Sequence, residues 1–191
     1  MENYLFFKES VKGTGMGNYK EGKITAPLSD AEFRAGMDSG RFVKSRHKGM
    51  LAFLHYSGLR RSEIPRLRKE DFHKTKDTLY SDIRLRMKGS QVTPALPLPL
   101  DAPYVDEIVK CVDHTKKGQK VWPYSDKTVY NIVHRVFKYP HYHRLSRVTW
   151  IIEHYGILAA RSWTGLSLQA LEYYAGIVEL KKVGEGLLAT T

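Results

Sequence analysis

Three short segments carry the side chains best suited to chemistry. They are Ser57-Gly58-Leu59-Arg60-Arg61-Ser62-Glu63, Pro140-His141-Tyr142-His143-Arg144 and Leu171-Glu172-Tyr173-Tyr174-Ala175. A guanidinium offers paired N–H donors that match two oxygens of a phosphate, so an arginine held by a tight turn suits a phosphate. Arg60 follows such a turn, and Glu63 is spaced to brace it. His141 and Arg144 are three residues apart and share a face if that stretch is helical. Lys88, in Met87-Lys88-Gly89, stands before a turn, from where an ammonium can give a proton to a leaving oxygen. Read singly, each segment has an ordinary explanation: a solvated basic turn, an exposed lysine, tyrosines buried in a core or interface. His141 and His143, with His134 and His154 nearby, also raise a metal site. Their spacing is wrong for neighbouring ligands on a helix and carboxylates are missing from the stretch, so no metal is expected.

The elements that must hold these residues read as mainly helical with one small antiparallel sheet, an α+β class. Ser29 or Asp30 is placed to cap a helix through Phe33 and Met37. Residues 43–57 are almost continuously apolar from Met50 to Tyr56, which predicts a buried helix ended by Gly58. A second helix is expected from Ser62, with Pro65 in its first turn. From Leu79 to Lys88 the pattern has period two. Leu79, Ile83, Leu85 and Met87 then face a core, while Arg84, Arg86 and Lys88 project together from the other face. Val92 to Leu98 returns as a second strand, which Pro94, Pro97 and Pro99 make an edge at best. Asp101 is expected to cap a helix carrying Val105, Ile108, Val109 and Val112, and Ser125 or Asp126 another through Val129 to Phe137. A further helix from about Arg147 ends at Gly156, and a last one spans Leu168 to Ile177.

Composition narrows the partners. The 191 residues suit one domain with a real core. Lys and Arg number 31 against 20 Asp and Glu, a net charge of +11, which favours a polyanion such as nucleic acid. The single cysteine, Cys111, excludes an intrachain disulfide and reads as a buried structural thiol. No apolar run reaches the length of a membrane span and the first residues lack a signal-peptide layout, so a cytoplasmic protein without membrane contact is expected. Four glycines among polar residues make 1–24 an arm or linker, 25–180 the working domain and 181–191 a tail.

In this order, an arginine box, a lysine hairpin, His-x-x-Arg and a C-terminal tyrosine resemble the catalytic domain of the tyrosine recombinase (phage-type integrase) family. That family's first box reads roughly Thr-Gly-Leu-Arg-x-Ser-Glu, and residues 57–63 differ from it only in Ser57. Leu67 and Glu70-Asp71-Phe72 fall where the family has a leucine and an acidic-Asp-hydrophobic run. Lys88-Gly89 looks like its hairpin lysine, Val121-Trp122-Pro123 like its apolar-aromatic-Pro segment, and Pro140-His141-x-x-Arg144 like its second box. The resemblance covers roughly residues 26–178. It departs where the family commonly has Leu-Gly-His: here Gly165 is followed by Leu166, which leaves that role unfilled or passes it to Trp163. His143 also replaces a usual leucine, and the family's customary N-terminal core-binding domain is not among these residues, as expected of either a fragment or a naturally short enzyme. These departures fit a divergent lineage such as an archaeal mobile element.

The resemblance implies a site-specific recombinase that cuts and rejoins double-stranded DNA through a 3′-phosphotyrosyl bond, without cofactor or metal. Arg60 and Arg144 are then the phosphate-holding arginines, Lys88 the acid for the leaving 5′ oxygen and His141 a proton-transfer or phosphate-bonding partner. Tyr174 aligns as the nucleophile, with Tyr173 the competitor. A free phenol titrates near pH ~10, so adjacent arginines would help to form the phenolate. Arg61, Arg84, Arg86 and Arg147 are expected to contact DNA, and self-assembly on DNA as a dimer or tetramer is expected. The alternatives are a type IB topoisomerase-like nicking and religating enzyme, or a DNA-binding module of this fold without catalysis.

Overall fold

The computed structural model describes residues 27–41, 44–82, 95–137 and 141–188, the last helix as backbone only beyond residue 179. Helix α1 (Asp30–Asp38) starts at a reciprocal cap. The Ser29 hydroxyl accepts from the Glu32 N–H at 3.2 Å, and the Glu32 carboxylate accepts from the Ser29 N–H at 2.8 Å. Its inner face buries Phe33 and Met37. Just before it, the Leu28 N–H donates to Ser146 Oγ at 2.6 Å.

Helix α2 (Ser45–Ser57) is the centre of the core, with Met50 to Leu54 all buried. It packs on α3 (Val105–Asp113) so closely that a Cβ at Gly49 would come within 2.6 Å of the Cys111 sulfur. Cys111 is buried, and burial pushes its thiol up from the ordinary range. Gly58 ends α2 at φ 62°, a left-handed conformation that glycine adopts without strain. The helix expected from Ser62 is only a 3₁₀ turn, Ile64–Arg66 with Pro65 in it, followed by a second turn, Lys69–Asp71.

The sheet has three antiparallel strands in the order β1-β2-β3: Phe72–Lys74, Thr78–Asp82 and Ala95–Pro99. Leu79 pairs with Leu98 and Ser81 with Leu96, and these four are buried. The proline-bearing strand β3 lies at one edge of the described sheet, as its composition requires. Strand β1 has no counterpart in the sequence reading. The basic stretch with Arg84, Arg86 and Lys88 lies outside the described residues.

Helix α3 is not capped by Asp101. Two successive turns, Ala102 N–H to the Pro99 carbonyl and Val105 N–H to the Ala102 carbonyl, place Tyr104 at the start instead, at φ 62°. Ser125 does cap α4 (Asp126–Val136), accepting from the Thr128 N–H at 3.1 Å. Helix α5 begins at His141 and runs to Tyr155, so the His-x-x-Arg segment forms its first turn. A short helix α6 (Ile157–Thr164) separates it from α7, which spans Leu168–Leu188, well past Ile177. Glycines at φ 84° (Gly156) and φ 60° (Gly165) bound α6. Apolar burial falls into a main cluster around Phe53 and Trp122 and a smaller one of Val148, Ile151, Ala160 and Leu171. Trp163 packs against both.

Candidate active site

The C-terminal end of α2 and the first turn of α5 meet at Gly58. Arg144 is buried, at 7% exposure, and its Nη1 donates to the Gly58 carbonyl at 2.8 Å. Its Nη2 is buried without a hydrogen-bond partner. A buried charged donor left this way costs on the order of 1–3 kcal/mol or more, unless an anion takes it. Burial pulls the guanidinium's pKa down, and the Tyr174 phenol is the largest influence opposing that, with Arg60 and Glu63 also in range. Tyr174 thus stands within electrostatic and hydrogen-bonding reach of Arg144, although no bond closes on Nη2.

Arg60 leaves the turn toward solvent. Glu63 braces it twice: one carboxylate oxygen accepts the Arg60 backbone N–H at 2.6 Å, the other the guanidinium at 3.2 Å. The brace follows from the turn before Ile64, in which the Glu63 N–H returns to the Arg60 carbonyl at 2.9 Å. Arg61 points to α4, pairing with Asp126 at 3.1 Å and lying 5.1 Å from the Tyr130 ring centre. His141 keeps surface open to solvent, yet the surrounding chain withdraws its ring from bulk water. That withdrawal, then the charges of Arg61, Arg144 and Arg60, hold its pKa below the usual imidazole range. A neutral imidazole between arginines can accept a proton or donate a hydrogen bond.

The structure therefore gathers Arg60, Arg61, Glu63, His141, Arg144 and Tyr174 in one electrostatic neighbourhood. Tyr174 is half-buried against the smaller cluster, and its ring meets that of Tyr173 edge-on at 5.6 Å. Arg147, expected to contact DNA, lies beside two tryptophans. It is half-buried, its guanidinium 4.4 Å from the Trp150 ring centre and 5.8 Å from that of Trp163, and burial lowers its pKa. Trp163 donates its Nε1–H to the Ser57 carbonyl at 3.2 Å. Lys88 lies outside the described residues.

Two features escaped the sequence reading. The Ser57 and Gly58 carbonyls act as acceptors for α6 and α5, which no spacing in one sequence reveals. Half-buried His55 and buried His143 also pair, Nδ1 to Nδ1 at 3.4 Å, with His55 stacked on Phe33 at 3.8 Å. They are 88 residues apart in the chain, and only the fold brings them together. Among the described residues, no group of three or more His, Cys, Asp or Glu could hold a metal ion. No described helix is long and apolar enough to cross a membrane.

Mostly helical, with a three-stranded antiparallel sheet, this fold is similar to that of tyrosine recombinase catalytic domains. The XerH site-specific recombinase bound to difH substrate in a pre-cleavage complex superposes with a TM-score of 0.63 at 15% identity, covering 80% of this chain and 51% of that one. XerH bound to palindromic difH in a post-cleavage complex gives 0.66 at 15%, covering 94% and 58%. XerA recombinase gives 0.63 at 13%, covering 87% and 65%. The chain thus spans about half to two thirds of the length of these recombinases. No family model matches the sequence, and no curated protein does.

Proposed function

We propose that this chain is the catalytic domain of a site-specific DNA recombinase that works through a tyrosine nucleophile. The observation that carries the reading is the buried Arg144 with an unpartnered Nη2 beside the Tyr174 phenol, within range of Arg60 and Glu63. Such a site supplies fixed positive charge for an oxyanion and a hydroxyl to attack with. The fold likeness to recombinases and the net charge of +11 support DNA as the substrate.

In this mechanism the Tyr174 oxygen attacks a backbone phosphorus in line with the 5′ oxygen. Arg60 and Arg144 hold the two non-bridging oxygens and stabilise the charge that builds in the five-coordinate transition state. Lys88 gives its proton to the departing 5′ oxygen, and His141 takes or shares the phenol proton. A 3′-phosphotyrosyl bond forms as the P–O5′ bond breaks. A second 5′ hydroxyl reverses the exchange, so the bond energy is kept and no nucleotide cofactor is needed. Exchange between two duplexes requires at least two copies of the chain on DNA, as a dimer or tetramer.

The decisive experiment uses a nicked suicide duplex, from which the cut 5′ end diffuses away and leaves the covalent adduct trapped. Peptide mapping should place the DNA on Tyr174. Bound DNA with no adduct would reduce the chain to a DNA-binding module. Plasmid relaxation without strand exchange between duplexes would mark a topoisomerase-like enzyme.

A further inference from the structure

The turn that presents Arg60 is held from two helices at once. The last carbonyls of a helix have no partner within it and must find one elsewhere. At the end of α2, Gly58 N–H returns to the Leu54 carbonyl at 3.0 Å, and Leu59 N–H reaches Ser57 Oγ at 3.3 Å. The Ser57 carbonyl is taken by Trp163 Nε1–H of α6 at 3.2 Å, and the Gly58 carbonyl by Arg144 Nη1 of α5 at 2.8 Å. Two neighbouring peptide units are therefore anchored by side chains that arrive from 106 and 86 residues away.

An indole has one donor and no acceptor. With that donor given to Ser57, Trp163 has none left for a phosphate oxygen. Its ring body meanwhile packs against both apolar clusters and lies 5.8 Å from the Arg147 guanidinium. The side chain is thus a wedge between the two parts of the core, and its polar tip sets the height of the turn.

We infer that Trp163 is a positioning residue: it fixes the Ser57–Gly58 turn, and through that turn the relative placement of Arg60 and Arg144, without touching the phosphate. The inference rests on the phosphate-holding role proposed above for the two arginines. Displacing a catalytic group by about 1 Å costs up to roughly 100-fold in rate. Loss of the indole N–H is therefore expected in the rate of tyrosyl transfer and not in DNA affinity.

Trp163→Phe removes the donor and keeps an apolar ring. Benzothienylalanine at position 163 keeps the bicyclic shape as well and lacks only the N–H, which covers the case in which the phenylalanine variant folds poorly. Single-turnover cleavage of the nicked suicide duplex should slow by roughly 10- to 100-fold in either variant, with Kd for the same duplex changed less than about twofold. Combined with Arg144→Lys, the substitution should slow cleavage little beyond Arg144→Lys alone, because both act through the same turn. Nitrogen-15 NMR of the DNA-free chain supplies a readout independent of activity: the Arg144 guanidinium signals should shift in the 163 variants. Wild-type cleavage rates, additive penalties with Arg144→Lys, or unmoved Arg144 signals would each overturn the assignment. If the unmodified chain forms no adduct at all, the recombinase reading fails instead, and the NMR measurement still decides whether Trp163 sets the turn.

Discussion

Arg144 and Gly58, 86 residues apart in the chain, are joined by a 2.8 Å hydrogen bond from a buried guanidinium to a carbonyl at the end of a helix. One arm of the arginine is thus tied to the backbone that carries Arg60, while its Nη2 stays unpartnered. The Arg144 guanidinium is held against the turn that carries Arg60, the kind of preorganisation that the proposed phosphate-holding role needs.

Arg60→Ala should lose cleavage by about 100- to 1000-fold, the scale of removing one preorganised oxyanion donor, about 3–4 kcal/mol. Thermal stability should hardly move, because the Arg60–Glu63 pair is exposed on the arginine side, at 46% of its side chain. Single-turnover cleavage and a melting curve on the same preparation check both halves. Normal cleavage would remove Arg60 from the site.

Tyr174→Phe should bind DNA normally and form no adduct, whereas Tyr173→Phe should still form one. Neighbouring residues on a helix point about 100° apart, so one ring alone is positioned for in-line attack. Gel analysis of trapped complexes separates the two. The opposite pattern would move the nucleophile to Tyr173, and an adduct in the double variant would end the tyrosine mechanism.

Gly58→Ala should destabilise the fold as well as the site. At φ 62° an alanine is strained, and its Cβ would lie 2.9 Å from Arg147 Cβ. A loss of roughly 1–3 kcal/mol is expected from the backbone strain and contact together. Urea unfolding measures it, and an unchanged midpoint would contradict the close approach of α5 to the turn.

Acid should weaken the fold through the His55–His143 pair. Desolvation holds the His55 pKa down at about 4 and that of His143 well below 6.5, with Arg147 lowering His55 further and Asp30 alone opposing. Both bases are depressed on folding, so the unfolded chain binds more protons once pH falls below about 6.5. Their contribution is complete above that pH and drains away as pH drops toward about 4, where His55 itself titrates when folded. Melting temperatures across this window should fall steadily, and less steeply in a His55→Phe/His143→Leu chain. Parallel profiles for the two proteins would show that other groups govern the acid transition.

Much of the scaffold could be read from local signals. The Ser29–Glu32 cap, the apolar run of α2, the αL glycine behind it and the proline-limited strand each depend on residues within a few positions of one another. What escaped depends on distant partners or on very short segments. Phe72–Lys74 is too brief to show alternation and becomes a strand because Thr78–Asp82 offers it a ladder. The eight residues of α6 follow Gly156, which reads as the end of one helix rather than as the start of the next. Asp101 looks like a cap, but the Pro99 and Ala102 turns carry the chain past it before α3 begins. The placing of the Arg147 guanidinium near the Trp150 and Trp163 rings likewise depends on the fold, since Trp163 comes from another helix. At the site, the residue types and their order along the chain were legible. The closure of Arg144 on Gly58 was not, since it is a contact to backbone and leaves no mark on residue identity.

Strand β3 has a consequence for how copies of this chain can meet. Proline has no N–H, so the ladder to β2 must use the N–H groups of Leu96 and Leu98, and Pro97 and Pro99 fall at the alternate positions whose backbone faces away. The outer rim of the sheet thus shows carbonyls at these two sites with no donors between them. Over Ala95–Pro99, a strand from another molecule laid along this rim would find carbonyls to donate to but no N–H at Pro97 or Pro99 to accept from, which weakens pairing there. The same two prolines that leave the β2 ladder intact thus strip the opposite side of the strand of donors.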